Sequence, residues 1–263
     1  MKRILIKALN AAALLMALLF LWQCLIWMLH IAPYMLPSPV AVARIVFIRF
    51  SSLFASLLIT ATAAAGGLLA SILVGVAIAL VFAQSRWLRE MFLPYTILLQ
   101  TVPIVAIAPL LLMWIGTGIP AVTLIAFVIC LAPIIANTTQ GLISVDENMV
   151  NLFLMHNASS AQVLWKLRLP NALPALFTGI RIASGAAVIG AIIGELFAGS
   201  SNVGQGGLGY SITYAQAQMQ TDYLFALVFA ATALGFLFFF TVMFLEWYFL
   251  HNWHESARSP ESR

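Results

Sequence analysis

The chain has 263 residues, of which 63% are apolar and only 8% are charged. Soluble domains are about 45–50% apolar and about 25% charged, and a globule of this size cannot hide so much apolar surface from water. The composition therefore excludes a soluble globular protein and a disordered one. The net charge of +4 comes from basic residues that stand in small groups beside apolar runs, a pattern of membrane orientation rather than of nucleic-acid binding.

Six apolar segments follow one another along the chain, and each is long enough to cross the hydrocarbon core as a helix. They are 9–31, 54–83, 92–115, 119–140, 172–198 and 223–250. Membrane strands would alternate apolar and polar side chains, whereas these segments are apolar all round. We therefore predict an all-α, polytopic membrane helix bundle with about six transmembrane helices. A single domain, 1–250, precedes a C-terminal tail, 251–263, and the first segment is too long for a signal peptide.

The lysines and arginines orient the predicted bundle. If the N-terminus lies inside, only Arg44 and Arg49 face outside, and the following face inside: Lys2, Arg3, Lys7, Arg86, Arg89, Lys166, Arg168, Arg258 and Arg263. The positive-inside rule then predicts a multi-pass inner-membrane protein with both termini in the cytoplasm and an external loop at 199–221.

Small residues recur at every fourth position in two of the segments. In the second segment they are Ala63, Gly67, Ser71, Gly75, Ala79 and Ala83, and in the fifth they are Ala186, Gly190, Gly194 and Ala198. Small residues at this spacing let helix backbones approach closely in lipid. The pattern therefore predicts close packing of these two helices against neighbours.

One sizeable polar insertion, 141–171, interrupts the apolar pattern on the predicted inner side. Ser144 to Glu147 has the form of a capping box, which predicts a helix from there to about His156. Asn157 tolerates the left-handed conformation that ends helices. Ser159 and Ser160 can cap a second short helix, 161–168, that stops before Pro170.

The predicted pair of short helices is more apolar than a solvated loop requires. Two interpretations remain open: an amphipathic hairpin that lies on the bilayer or the bundle, or a knob that enters a groove of a soluble partner.

Residues 151–170 resemble the cytoplasmic EAA loop of binding-protein-dependent ABC importer permeases. That loop reads Glu-Ala-Ala, three residues, Gly, nine residues, then Ile-x-Leu-Pro. Here 167–170 reads Leu-Arg-Leu-Pro, Asn157 takes the glycine position, and Asn-Leu-Phe replaces Glu-Ala-Ala. Further matches to these permeases are 36–39, 100–103, 108–110, 170–183 and 207–210. They extend the resemblance over about 30–250 and point to the nitrate, sulfonate and taurine branch. That branch includes permeases of thiamine-precursor and riboflavin importers.

The resemblance implies a permease subunit that forms the path for a small solute and performs no covalent chemistry. It implies a second permease copy, a dimer of cytoplasmic ATP-binding subunits that hold ATP and Mg²⁺, an external solute-binding protein and surrounding lipid. No lysine follows a glycine, so the chain has no P-loop of its own. The residues implied to couple to the ATPase are Asn151, Leu152, Phe153, His156, Asn157, Ala158, Ser159, Val163 and Pro170.

The predicted path or gate residues are Gln100, Pro103, Pro109, Arg181, Glu195, Gly207, Gly209 and Tyr210. Prolines within a membrane helix break hydrogen bonds where protein or a water-filled cavity satisfies the backbone. Charges at membrane depth usually face protein or water. The alternative interpretation is that Arg181 and Glu195 snorkel to the two interfaces. They are 14 residues, about 21 Å, apart on one helix, which is too far for a direct pair.

Alternatives remain beside the importer hypothesis. Glu195 or Arg181 can serve an ion-coupled secondary transporter, although such folds usually contain internal repeats, and a membrane assembly subunit without a path is a third option. The G-x-G-x-x-G match at 204–209 follows an apolar helix rather than a strand, so it predicts an external gate or docking loop instead of a nucleotide site. The histidines show no metal-binding arrangement.

Overall fold

The protein is described by a computed structural model over residues 2–198 and 206–251, and within these ranges every regular element is a helix. The elements are α1 Lys2–Leu29, α2 Pro39–Ile48, α3 Phe50–Gln84, α4 Arg86–Leu98, α5 Ile104–Ile115, α6 Ile119–Ile143, α7 Glu147–Met155, α8 Ser160–Val163, a π-helical turn Leu164–Arg168, α9 Leu169–Ala198, α10 Leu208–Ala217 and α11 Thr221–Leu250.

The predicted all-α membrane bundle is confirmed. Four helical stretches in the described residues are long and apolar enough to cross a membrane: Phe50–Gln84, Ile119–Ile143, Ser160–Ala198 and Thr221–Leu250. The other two predicted segments correspond to α1 and to the pair α4–α5. Of the predicted tail, residues 252–263 lie outside the described part of the chain, as do residues 199–205 of the predicted external loop.

The prediction of one helix over 92–115 is wrong, because α4 ends at Leu98 and α5 begins at Ile104. Pro103 is the N-cap of α5 in an extended conformation, and its ring disfavours a helical conformation at Val102. Pro94 and Pro109 are accommodated inside α4 and α5. The third crossing is therefore two half-helices separated by the break 99–103.

Two short helices, α2 and α10, were not predicted. Ser38 caps α2, since its hydroxyl accepts a bond from the Ala41 N–H at 3.2 Å, and Pro39 occupies the first helical position, where its missing N–H costs nothing. Neither helix is long enough to span a bilayer, which is why a search for long apolar segments misses both.

The core of the bundle forms where α3, α6 and α9 pack together through small residues. A Cβ placed on Gly67 would lie 2.6 Å from Ala126 Cβ and 2.8 Å from a backbone nitrogen of α6. A Cβ on Gly190 would lie 2.9 Å from Ala126 Cα. Ser71 donates across the interface to the Phe127 carbonyl at 2.8 Å. The predicted close packing is confirmed: the six small residues of α3 are buried, as are three of the four in α9, while Ala186 is half-buried.

The helices run between two ends of the bundle. The hairpin end holds 147–168, and the α10 end holds 208–217. The beginning of α9 meets the end of α11 through Phe177 and Phe249, whose rings are 6.1 Å apart. Trp22, late in α1, packs on Phe225, early in α11, at 5.8 Å. These contacts make α11 antiparallel to α9 and α1, so α1 begins and α11 ends at the hairpin end.

Candidate functional site

The polar insertion forms the predicted hairpin of two short helices, with a different N-cap. Asp146, not Ser144, caps α7, and its carboxylate accepts a bond from the Asn148 N–H at 2.8 Å. Ser144 instead lies just after α6 and donates to the Gly141 carbonyl at 3.0 Å. The predicted capping box at 144–147 is therefore wrong, because an acidic N-cap two residues further along the chain accepts the bond from the first turn of α7.

The bend of the hairpin is a Schellman turn with Asn157 at its left-handed position. Asn157 has φ +56°. Its N–H donates to the Leu154 carbonyl at 2.9 Å, and the Ala158 N–H donates to the Phe153 carbonyl at 3.0 Å. These two bonds define the motif, so the predicted left-handed helix end at Asn157 is confirmed.

The second helix begins as predicted but does not end as predicted. Ser159 and Gln162 form a capping box, with bonds of 3.3 and 2.8 Å. The prediction that this helix stops before Pro170 is wrong, since the helical path is continuous over Ser160–Ala198. Proline lacks an N–H and its ring clashes with the carbonyl four residues earlier. The chain widens here into the π-turn, in which the Leu169 N–H donates to the Leu164 carbonyl.

The hairpin exposes apolar side chains at its tip. Met155 is 81% exposed, and Leu152 and Leu154 are about half exposed. Phe153 is half-buried and lines a cleft of about 310 Å³. The other side chains that line this cleft are Leu152, His156, Ala158, Gln162 and Lys166. The outward apolar surface is thus formed by the neighbours of Phe153, and Phe153 itself faces into the hairpin.

The remaining predicted coupling residues differ in exposure. Asn151 is exposed on α7, whereas Val163, at the end of α8, is buried. Arg168, beyond the cleft, donates to the Ala83 carbonyl at the end of α3 at 3.0 Å, a favourable place for a cation. Asn171 donates to the Gly141 carbonyl of α6 at 3.4 Å. The base of the hairpin is therefore bonded to both α3 and α6.

At the opposite end of α9, Glu195 is only 4% exposed. Its Oε2 accepts bonds from the Thr60 hydroxyl at 2.9 Å and from the Gly209 N–H at 2.8 Å. Thr60 in turn accepts a bond from the Leu208 N–H at 2.8 Å. Ser56 and Ser211 hydroxyls lie 2.9 Å apart beside this group. The cluster connects α3, α9 and the N-terminus of α10.

The glycines beside Glu195 permit this approach of backbone to carboxylate. A Cβ on Gly207 would collide with the Glu195 carboxylate, and one on Gly209 would collide with the Ile192 carbonyl. Tyr210, the next predicted gate residue, is half-buried and stacks with Tyr214 at 6.4 Å. The structure therefore brings Glu195, Gly207, Gly209 and Tyr210 together, while Gly204 and Gln205 of the glycine-rich motif lie outside the described residues.

Arg181 belongs to a different contact. It forms an ion pair with Glu246 of α11, with 2.8 Å between Nη2 and Oε1. The prediction that Arg181 and Glu195 do not pair is confirmed. The pair joins α9 to α11 nearer the hairpin end, and both side chains are partly exposed.

The break in the third crossing carries the other predicted path residues. Gln100, Thr101 and Pro103 are exposed, and Pro109 is exposed on α5. Thr101 donates to the nearby Leu98 carbonyl, at 2.8 Å. A cleft of about 540 Å³ between α3 and α4 adjoins the break. Irregular backbone at membrane depth requires protein or water beside it, and no described residue of this chain covers Gln100.

Sequence reasoning missed the hydroxyl cluster at Glu195, which consists of Ser56, Thr60 and Ser211, and it missed Glu246, the partner of Arg181. Ser56 and Thr60 stand four residues apart and so share one face of an otherwise apolar helix, a signal that can be found in the sequence. No sequence pattern connects Arg181 with Glu246, which are 65 residues apart.

A bundle of apolar helices with a buried polar cluster and a projecting helical hairpin defines a polytopic membrane protein. The sequence matches the family of binding-protein-dependent transport system inner membrane components over residues 67–250, and the chain belongs to this family. It is 33% identical over 240 residues to a probable ABC transporter permease protein of Haemophilus influenzae. The aligned region covers 91% of this chain and 96% of that relative.

Two further relatives have named solutes. The formylaminopyrimidine transport permease protein ThiX of Halalkalibacterium halodurans is 30% identical, over 91% of this chain and 94% of that protein. The riboflavin transport system permease protein RibX of Chloroflexus aurantiacus is 32% identical, over 83% of this chain and 80% of that protein. The predicted resemblance to this branch of permeases is therefore confirmed, and the chain is an ABC importer permease subunit rather than a secondary transporter.

Proposed function

We propose that two copies of this chain form the path of an importer that is driven by separate ATPase subunits, which bind ATP and Mg²⁺. An external binding protein delivers the solute. The family description, which names binding-protein-dependent transport, supports this assembly. The hairpin at 147–163 is the single observation that carries the coupling role.

The hairpin suits an ATPase-docking element because it combines a fixed bend with exposed apolar side chains. The two bonds of the Schellman turn and the capping box at Ser159 hold the two helices at one angle. Leu152, Leu154 and Met155 project from this rigid frame. An exposed helix face of this type enters a hydrophobic groove of a partner, which favours the knob interpretation over a hairpin that lies on the bilayer.

We assign the hairpin end to the cytoplasm and the α10 end to the outside. Basic residues near the span ends support this orientation: Arg86, Arg89, Lys166 and Arg168 lie toward the hairpin end, against Arg44 and Arg49 toward the other. Single cysteines at Ser160 and at Met219, which is 82% exposed, are expected to react with impermeant maleimide from opposite sides. Labelling of both from one side would contradict the assignment.

A second copy is proposed to cover the exposed break at 99–103. Polar side chains and irregular backbone at that depth would otherwise face lipid, which the bilayer core does not tolerate. The exposed face of α5, including Val105 and Met113, is then shared between the second copy and the path. Cross-linking of single cysteines at Gln100 between copies tests this arrangement.

The proposed solute is a vitamin or a vitamin precursor with a heteroaromatic ring. Two relatives that cover most of this chain carry formylaminopyrimidine and riboflavin in their names. A complex purified through a tagged permease, with its co-purified ATPase and binding protein, is reconstituted in proteoliposomes. Uptake of radiolabelled formylaminopyrimidine or riboflavin is expected only when MgATP is on the hairpin side.

Taurine serves as the competing probe in the same vesicles. Uptake of taurine alone would overturn the solute class but not the permease role. Hydrolysis of ATP by the purified chain without its partners would contradict the division of labour between the subunits.

A further inference from the structure

The first N–H groups of α10 donate to side chains of other helices rather than to a residue of their own segment. Helix N-termini leave their first N–H groups unpaired, and a Ser, Thr, Asp or Asn at the N-cap usually accepts from them. Gly207 occupies the N-cap of α10 and has no side chain to do so. Thr60 of α3 and Glu195 of α9 accept from the Leu208 and Gly209 N–H groups instead. Two other helices therefore supply the cap.

We propose that Glu195 and Thr60 are positioning residues that hold α10 against α3 and α9 by capping it from outside its own sequence. The consequence for transport rests on the function proposed above. A carboxylate at a helix N-terminus is favoured by the helix dipole as well as by its hydrogen bonds. The collision that any Cβ on Gly207 would meet at the carboxylate explains why a glycine, rather than a self-capping residue, stands there.

Substitutions of Glu195 and Thr60 separate the roles of charge and hydrogen bonding in the cap of α10. Glu195→Gln can keep both bonds, because its amide oxygen can take the place of Oε2, but it removes the charge. Glu195→Ala removes both bonds and the charge. Thr60→Val keeps the shape of the side chain but loses the hydroxyl that joins Glu195 to α10, whereas Thr60→Ser retains that hydroxyl and serves as the matched control.

The position of α10 can be measured directly by cross-linking. Ser56 and Ser211 hydroxyls are 2.9 Å apart, so cysteines at these positions can reach the Cβ separation of a disulfide, about 3.5–4.5 Å. The pair is placed in a background with Cys24→Ala and Cys130→Ala, and the rate of oxidative cross-linking is followed in membranes.

Fast cross-linking is expected in this background and with Thr60→Ser. We expect it to slow about tenfold with Glu195→Ala and with Thr60→Val, since each removes bonds to a buried charged group. An intermediate rate is expected with Glu195→Gln. Equal rates in all of these variants would overturn the proposal, because packing alone would then hold α10.

A rescue experiment separates positioning from a direct role of the carboxylate. The Glu195→Ala variant that also carries cysteines at positions 56 and 211 should take up less radiolabelled riboflavin or formylaminopyrimidine. Uptake should return when the disulfide between these two cysteines forms, and it should fall again after reduction. Failure to return despite complete cross-linking would overturn the proposal, since Glu195 would then act on the solute or an ion. The proposal would also be overturned if the disulfide abolished uptake in the cysteine-pair protein that keeps Glu195. In that case α10 would have to leave α3 during transport.

Retention of the ATPase at the opposite end of the bundle verifies folding of every variant. If the unchanged complex shows no ATP-dependent uptake of either probe, the proposed solute class fails, while the cross-linking rates still decide whether Glu195 and Thr60 hold α10.

Discussion

Substitution of Asn157 tests the hairpin most directly, because this residue sets the angle between α7 and α8. Its φ of +56° lies in the left-handed region, which costs an ordinary L-residue roughly 1–2 kcal/mol and a β-branched residue more than Asn. Asn157→Val should therefore open the turn and redirect Met155 and its neighbours. A penalty of about 1–2 kcal/mol weakens ATPase binding about 5–30-fold. Asn157→Gly should bind normally, since glycine adopts this conformation freely.

The assay is titration of the purified ATPase subunit onto tagged permease in nanodiscs. Asn148→Val is the matched control, because it places the same side chain in the first turn of α7, where the backbone is helical. The expected order of affinity is the unchanged chain, Asn157→Gly and Asn148→Val together, with Asn157→Val below them. Normal binding by Asn157→Val, or equal weakening by Asn157→Gly, would refute the reasoning from the turn geometry.

Three further predictions concern contacts away from the turn. Met155→Asp should leave the fold intact and reduce ATPase affinity about thirtyfold, because loss of an interface anchor costs ~2 kcal/mol. An unchanged ATPase titration would exclude Met155 from the contact. Gly67→Ala should lower the stability measured by thermal unfolding in detergent by about 1–3 kcal/mol, because its Cβ meets α6 backbone. Gly185→Ala should be neutral in the same measurement, since a Cβ there has no neighbour within 4 Å among the described residues. Arg181→Met should destabilise by about 1.5–3 kcal/mol in the same measurement by leaving Glu246 unpaired, and Arg181→Met with Glu246→Leu should recover most of the loss.

The long helices and the tight packing faces of two of them could be predicted because both rest on simple patterns. Length and hydropathy locate α3, α6, α9 and α11, and a four-residue repeat of small side chains predicts that α3 and α9 pack closely against neighbours. The break at 99–103 and the unbroken path through Pro170 could not be predicted in the same way. Pro103 stands in a break and is the N-cap of α5, whereas Pro170 follows a π-turn within a continuous helical stretch. Both prolines precede apolar, helix-compatible sequence, so the local pattern alone does not distinguish the two outcomes.

The two candidate sites differ in how much the sequence reveals. The hairpin is local: Asn157 and Ser159 make their bonds within five residues, so their residue types alone predict the turn and the second cap. The contact around Glu195 is long-range, since Thr60 is 135 residues away in the chain. Composition can indicate that a buried carboxylate requires a partner, but only the packing of α3 on α9 identifies that partner.

The continuous helix from Ser160 to Ala198 gives the two sites a physical connection. Ser160 and Glu195 are separated by 35 residues, or about 50 Å of helix, so the proposed ATPase surface and the cap of α10 lie on one element. Sliding of this helix is opposed by its backbone contacts with α6 at Gly190. Bending is easiest at the π-turn, where the regular hydrogen-bond ladder is already interrupted. Arg168, in that turn, is bonded to the end of α3. A displacement of the hairpin must therefore break the Arg168 contact, bend the π-turn, or carry α3 and α9 together, and only the last of these transmits the displacement to the bonds of Glu195 and Thr60 with α10.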